Sequence, residues 1–227
     1  TFTKAVVYTA GMDMLSISRA RTPWMATPTG AEVDAHELAD ATIGCISRAL
    51  DGAGVERVAA LGVTSFGESG VMVDAAGRPV APIVAWHDRR GQAQAEHLQR
   101  VLPEFSIRTG RRADERPSAV KWRWLVENDR ITETPVRWFA IAEWIVHCLG
   151  GTPHSEASLM SRTGGLDVVQ GNEYRDVFAW AGVPDLRFGQ IVGAGEPAAT
   201  AVNGPAALRG ATLTVAGLDC YTSAHVI

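Results

Sequence analysis

Two short apolar runs, KAVVY (4–8) and LSISRA (15–20), flank the Gly-containing stretch TAGMD (9–13) and predict an antiparallel hairpin. From Glu32 to Leu50 the period changes. Leu38, Thr42, Cys45, Ile46, Ala49 and Leu50 recur at helical spacing, with Gly52 and Gly54 as stop signals. VAALGVTSF (58–66) then predicts a fully buried strand. VMVDAAGRPVAPIVAW (71–86) predicts a strand, a turn and a second strand lying beside the first. Beyond Gly91 the pattern is mostly helical, with helices expected over 91–101, 117–128, 137–149 and 173–181. A last strand, ATLTVAG (211–217), runs into Asp219, whereas the Pro/Gly-rich stretch 192–210 reads as surface turns. Together the elements predict an α/β protein.

At 227 residues and 46% hydrophobic content the chain has ample material for a core. The formal net charge of −4 and the scattered arginines build no concentrated basic face, which argues against a nucleic-acid partner. The longest apolar stretch, WFAIAEWIVHCLGG (138–151), is interrupted by Glu143 and His147 and is too short to cross a bilayer, so it reads as a buried helix. Three cysteines, Cys45, Cys148 and Cys220, are widely spaced and without a Cys-x-x-Cys pair, which fits reduced thiols in a cytoplasm. The chain opens inside a strand at Thr1 and closes at Ile227 after a new element has begun, so it is expected to be part of something larger.

Three stretches carry candidate chemistry. In GVTSFGESG (62–70) a strand ends in small residues that let a ligand approach the backbone, then presents Glu68 and Ser69. A nucleophile elbow fails there, because Val71 stands where the motif needs Gly and a strand follows where it needs a helix. Glu68 instead suits two neighbouring hydroxyls of a polyhydroxylated ligand, against the alternative of a solvated turn residue. In VAWHDRR (84–90), Trp86 offers an apolar wall with one N–H donor, or else is simply core. Asp88 with Arg89 or Arg90 reads as an ion pair that fixes the turn. His87 lacks companions at metal-ligand spacing. Asp219, at the mouth of a buried strand, is placed to take a proton from a hydroxyl that attacks phosphorus, or to cap a helix starting at Cys220. Neither a Walker loop nor a Gly-x-Gly-x-x-Gly is present.

Taken jointly, five stretches resemble the amino-terminal domain of the FGGY carbohydrate kinases. TFTKAVVY (1–8) is similar to the tail of the family's opening strand and its phosphate-contacting turn. The run 58–91 resembles the family's strand, polar turn, Asp-x-x-Gly-x-Pro hairpin and Trp-x-Asp-x-Arg. TGRRADERPSAVKWRWLVEN (109–128) resembles its Thr-Gly segment and the helix bearing Lys121. EASLMSRTGGLDV (156–168) resembles its Ala-Ser-Arg-Thr element, and RGATLTVAGLDCYTSA (209–224) the strand before its catalytic Asp.

The resemblance implies an actin-like, ribonuclease H-like fold, a mixed sheet flanked by helices, with residues 1–227 as the first of two lobes. It implies ATP and Mg²⁺ as cofactors, a small sugar, sugar acid or polyol as partner, and a carboxy-terminal lobe of the same protein across the cleft. Asp219 would be the catalytic base, Glu68 and Trp86 substrate contacts, and Thr1 the remnant of the nucleotide-phosphate turn. Gly67 stands where glycerol kinase has an Arg, leaving room for a longer sugar. Arg116 stands where it has a Tyr, favouring a carboxylated or more polar substrate if it faces the cleft. The alternative is a non-catalytic sugar-sensing pseudokinase module; an actin-like structural domain would leave Glu68, Trp86 and Asp219 unexplained. A homodimer is the common assembly on general grounds.

Overall fold

The computed structural model describes residues 2–224; Thr1 lies outside the described residues. The expected hairpin is β1 (Phe2–Tyr8) with β2 (Met14–Arg21). Strands β3 (Met25–Thr27) and β4 (Gly30–Val33) follow, so residues 32 and 33, expected to open a helix, are extended. Helix α1 (Ala35–Ala53) starts where the Asp34 side chain accepts from the backbone N–H groups of His36 and Glu37. It stops at Gly54, whose φ of 62° closes the last turn. Its buried stripe is Leu38, Ala39, Cys45, Ile46, Ala49 and Leu50.

Next come β5 (Ala60–Ser65), β6 (Gly70–Val73) and β7 (Ile83–Val84), then α2 (Gln92–Val101), α3 (Phe105–Thr109) and α4 (Ser118–Glu127). After them lie β8 (Arg137–Ala140), α5 (Ile141–Gly150), β9 (His154–Glu156), α6 (Ala157–Met160), β10 (Leu166–Asp167) and β11 (Asn172–Glu173). The chain continues through α7 (Arg175–Trp180), β12 (Gln190–Val192), β13 (Pro197–Thr200), β14 (Thr212–Leu218) and α8 (Asp219–Ala224).

The stretch 192–210, read as surface turns, contains β13, which pairs antiparallel with β14 and buries Ala198, and three further expectations change. The span 137–149 is not one helix: its first four residues are β8, antiparallel to β6. The reason is side-chain alternation. Trp138 and Met72 enter one core, with Trp122, Phe178 and Phe188, while Phe139, Val71 and Val73 enter the other, with α1 and α5. The β6–β8 pair is a wall between two cores, which no single helical stripe provides. Glu143 then starts α5 by accepting from the Ala140 N–H at 2.7 Å.

Second, the strands around the 74–78 turn do not stay together. Asp74 fixes that turn by accepting from the N–H groups of Ala76 and Arg78, both at 2.9 Å, and pairing with the Arg78 guanidinium. Beyond one bridge between Val73 and Pro79, however, β7 leaves and pairs with β4. Third, β5 is not fully buried. Leu61 and Val63 pack against the first core, while Ala60, Gly62 and Thr64 are exposed.

What positions the site is the sheet β13-β14-β5, in which β14 and β5 run parallel. Leu218 pairs with Ser65, so the carboxyl ends of both strands lie at one edge, where ligands bind in open α/β sheets.

Candidate functional site

Asp219 is the first residue past β14 and is exposed at that shared edge. The strand bearing it is irregular just before its end. The register shifts between Val215 and Gly217, and Gly217 has a φ of 90° that a side chain rarely adopts. Its backbone is held on several sides. The Leu218 N–H donates to Ser158 Oγ at 3.0 Å, Thr64 Oγ1 donates to the Gly217 carbonyl at 2.7 Å, and Thr222 Oγ1 donates to the Ala216 carbonyl at 3.0 Å. Ser158 in turn donates to Glu156, whose buried carboxylate caps α6 by accepting from the N–H groups of Ser158 and Leu159. Behind Glu156 sits Glu143, fully buried, whose carboxyl burial pushes up to about 8 despite two backbone N–H donors.

Glu68 lies three residues beyond β5 and is buried. Its backbone is strained, with a φ of 22° and a hydrogen bond from the Ser69 N–H back to the Gly67 carbonyl. Ser118 Oγ donates to its carbonyl at 2.7 Å. One carboxylate oxygen, Oε1, accepts from two arginines: Arg162 through Nε at 2.8 Å, and Arg111 through Nη2 at 3.0 Å. Neither arginine is among the site residues expected from the sequence, although Arg162 is the Arg of the stretch that resembles the Ala-Ser-Arg-Thr element. Gly67 makes this packing possible, because a Cβ there would collide with the Cβ and Cγ of Arg162 and reach Leu218 at 3.2 Å. The space beside Gly67 therefore belongs to Arg162, not to a longer sugar. Leu218, the residue preceding Asp219, lies on the same side of Gly67, so the Glu68 turn sits beside the end of β14.

Arg116 is half exposed, and its Nε donates to Asp114 at 3.0 Å. Trp86 is 45% exposed, with its ring edge-on to His87, so it is not core. Asp88 and Arg90, by contrast, are the buried brace of this turn. Asp88 accepts from Arg90 Nε at 3.0 Å, Arg90 Nη2 at 2.8 Å and the Ala31 N–H at 3.1 Å. Burial alone would raise the Asp88 carboxyl, but the Arg90 hydrogen bonds outweigh it and hold it at about 2. Arg90 also pairs with Glu32 and lies over the Trp124 ring, while buried Lys121 donates to the Asp88 and Arg90 carbonyls. Burial drops that lysine to about 8. A wider groove lined by Val126, Thr132, Glu133 and Asp185 shares no residue with this edge.

Among the described residues no three His, Cys, Asp or Glu side chains cluster to hold a metal, and no helix is long and apolar enough to cross a membrane.

Glycerol kinase from Roseobacter denitrificans is 28% identical over 204 residues, covering 84% of this chain and 41% of that protein. L-fuculokinase from Escherichia coli is 28% identical over 168 residues, covering 73% of this chain and 35% of that protein. The xylulose kinase structure from Rhodospirillum rubrum superposes with a TM-score of 0.87 at 19% identity, covering 99% of this chain and 48% of that one, a likeness of fold. The chain thus spans less than half the length of these relatives. The sequence profile described as the FGGY family of carbohydrate kinases, N-terminal domain, matches residues 1–222, and to that family the chain belongs.

Proposed function

We propose that residues 1–227 are the substrate-binding lobe of an ATP-dependent kinase that phosphorylates a hydroxyl of a sugar, sugar acid or polyol. The observation that carries this reading is the exposed Asp219 at the carboxyl edge shared by two parallel strands, with Glu68 three residues beyond the partner strand. The Asp219 carboxylate accepts the proton of the acceptor hydroxyl as its oxygen attacks the γ-phosphorus; the new O–P bond forms as the bond to ADP breaks. The second oxygen of Glu68 and the ring of Trp86 orient the acceptor. Mg²⁺ supplied with ATP would offset the charge of the transferring phosphoryl group. Asp219 is this lobe's candidate carboxylate toward it, and a second lobe of the same protein is assigned the rest of the nucleotide site. The three free thiols accord with a cytoplasmic setting.

In the full-length protein, Asp219→Ala is expected to cut sugar-dependent ATP turnover by at least about a hundredfold while sugar binding persists. Unchanged turnover would overturn the assignment, and a wild type that binds sugar without consuming ATP would support a sensing module instead.

A further inference from the structure

Glu68 is outnumbered. Arg111 and Arg162 both approach its Oε1, and the nearby Arg116 is already matched by Asp114. The two guanidiniums share that single oxygen where the Arg111 side chain is only 13% exposed. Of its five N–H donors, Arg111 directs one at Glu68, and its buried Nε has no partner. A buried guanidinium with unused donors is costly unless an anion completes it.

We propose that Arg111 is a specificity-determining residue that selects an acceptor bearing a carboxylate, a sugar acid of the aldonate class, gripping the carboxylate at the end away from the reacting hydroxyl. The inference rests on the kinase reading above and narrows it. A neutral hydroxyl takes a single hydrogen bond and leaves other Arg111 donors unused. A carboxylate matches the planar fork of the guanidinium and neutralises it. Arg162 serves a different end of the cluster, since its stem packs on Gly67, which also faces Leu218 beside Asp219. The surroundings of Arg111 differ from those of the other buried arginine. Burial and the charge of Arg162 pull the Arg111 guanidinium below its usual range, whereas Arg90, matched by Asp88 and Glu32, is raised despite burial.

The test is steady-state kinetics of the full-length protein with ATP and three six-carbon acceptors: an aldonate, a polyol and a ketose. The wild type is expected to favour the aldonate by about tenfold or more in kcat/KM. Arg111→Gln is expected to raise the aldonate KM by about ten- to a hundredfold with kcat nearly unchanged, to move the polyol KM less than about threefold, and to leave the KM for ATP alone. Arg111→Lys, which keeps the charge but not the fork, should fall between. Equal losses for all acceptors would mean that Arg111 only supports Glu68, and a raised KM for ATP would mean that the anion is a phosphate; either result overturns the proposal. Turnover of neutral acceptors alone overturns this inference and leaves the kinase reading standing. Turnover of none of them, nor of any shorter sugar, overturns both.

Discussion

Ser158 and Leu218 meet through a hydrogen bond of 3.0 Å, from the Leu218 N–H to Ser158 Oγ, directly behind the residue proposed as the base. Ser158 is itself oriented by donating to Glu156 at 2.5 Å. The chain of contacts fixes the backbone from which Asp219 projects, so Ser158 is a positioning residue. Ser158→Ala should leave the Leu218 N–H and one oxygen of Glu156 short of a partner, destabilising the fold by about 1–3 kcal/mol. In the full-length protein kcat should fall by about tenfold while the acceptor KM stays within about twofold, and Ser158→Thr should restore most of the loss. A purely structural role would show in the melt and not in that kcat-against-KM split.

Asp88 links the same architecture to acid stability. Its carboxyl is held at about 2 in the folded chain against a usual value of 3.8. A depressed carboxylate contributes stability that is present above the unfolded pKa and lost as pH falls through the folded one. The window is therefore roughly pH 4 down to pH 2, and the contribution at neutral pH is about 2 kcal/mol. Urea unfolding across that window should show the loss in the wild type, and Asp88→Asn should flatten that part of the profile. The variant should also be less stable at neutral pH by about 3–5 kcal/mol, because Arg90 would be left buried against one carboxylate fewer.

Two tryptophans should separate recognition from folding. Trp86 is 45% exposed, while Trp122 is wholly buried among Trp138, Phe178 and Phe188. Trp86→Ala should cost less than about 1 kcal/mol of stability and lower acceptor kcat/KM by about tenfold. Trp122→Ala should cost about 3–5 kcal/mol by opening the second core. Chemical denaturation of both variants beside acceptor kinetics checks the pair, and an inert Trp86→Ala would remove that ring from the site.

The elements legible in the sequence are those whose signals are local. The β1–β2 hairpin, the capped and stopped α1, the helices near 92–101 and 118–127, and the strand into Asp219 each carry their own period or punctuation. Residues 137–140 were not legible as a strand. Trp138 and Phe139, followed by Ala140 and Ile141, suit a helix or a buried strand equally, and pairing with distant β6 decides the matter. The turn containing Asp88 was readable as a brace because its partner Arg90 is two residues away. Arg111 and Arg162 were not, since they reach Glu68 across 43 and 94 residues, and an Arg in a polar segment reads as solvated. The one local hint was Gly67, a glycine beside a carboxylate, which marks a place where another part of the chain approaches closely.

That glycine supplies the last prediction. Gly67→Ala places a methyl group against the Cβ and Cγ of Arg162, near backbone that cannot retreat because Ser118 holds the neighbouring Glu68 carbonyl. The expected cost is about 1–3 kcal/mol of stability from overpacking. Arg162 is the part most able to move, so its grip on Glu68 should loosen, leaving the carboxylate with Arg111 alone. Acceptor kcat/KM in the full-length protein should then fall by about tenfold or more. Shortening the colliding side chain supplies the control: in a Gly67→Ala background, Arg162→Ala should cost less stability than it does alone, because it removes the colliding Cγ and leaves only the Cβ contact. A double-mutant cycle by urea denaturation reads that coupling directly, and strictly additive energies would show that Gly67 and Arg162 do not share this space.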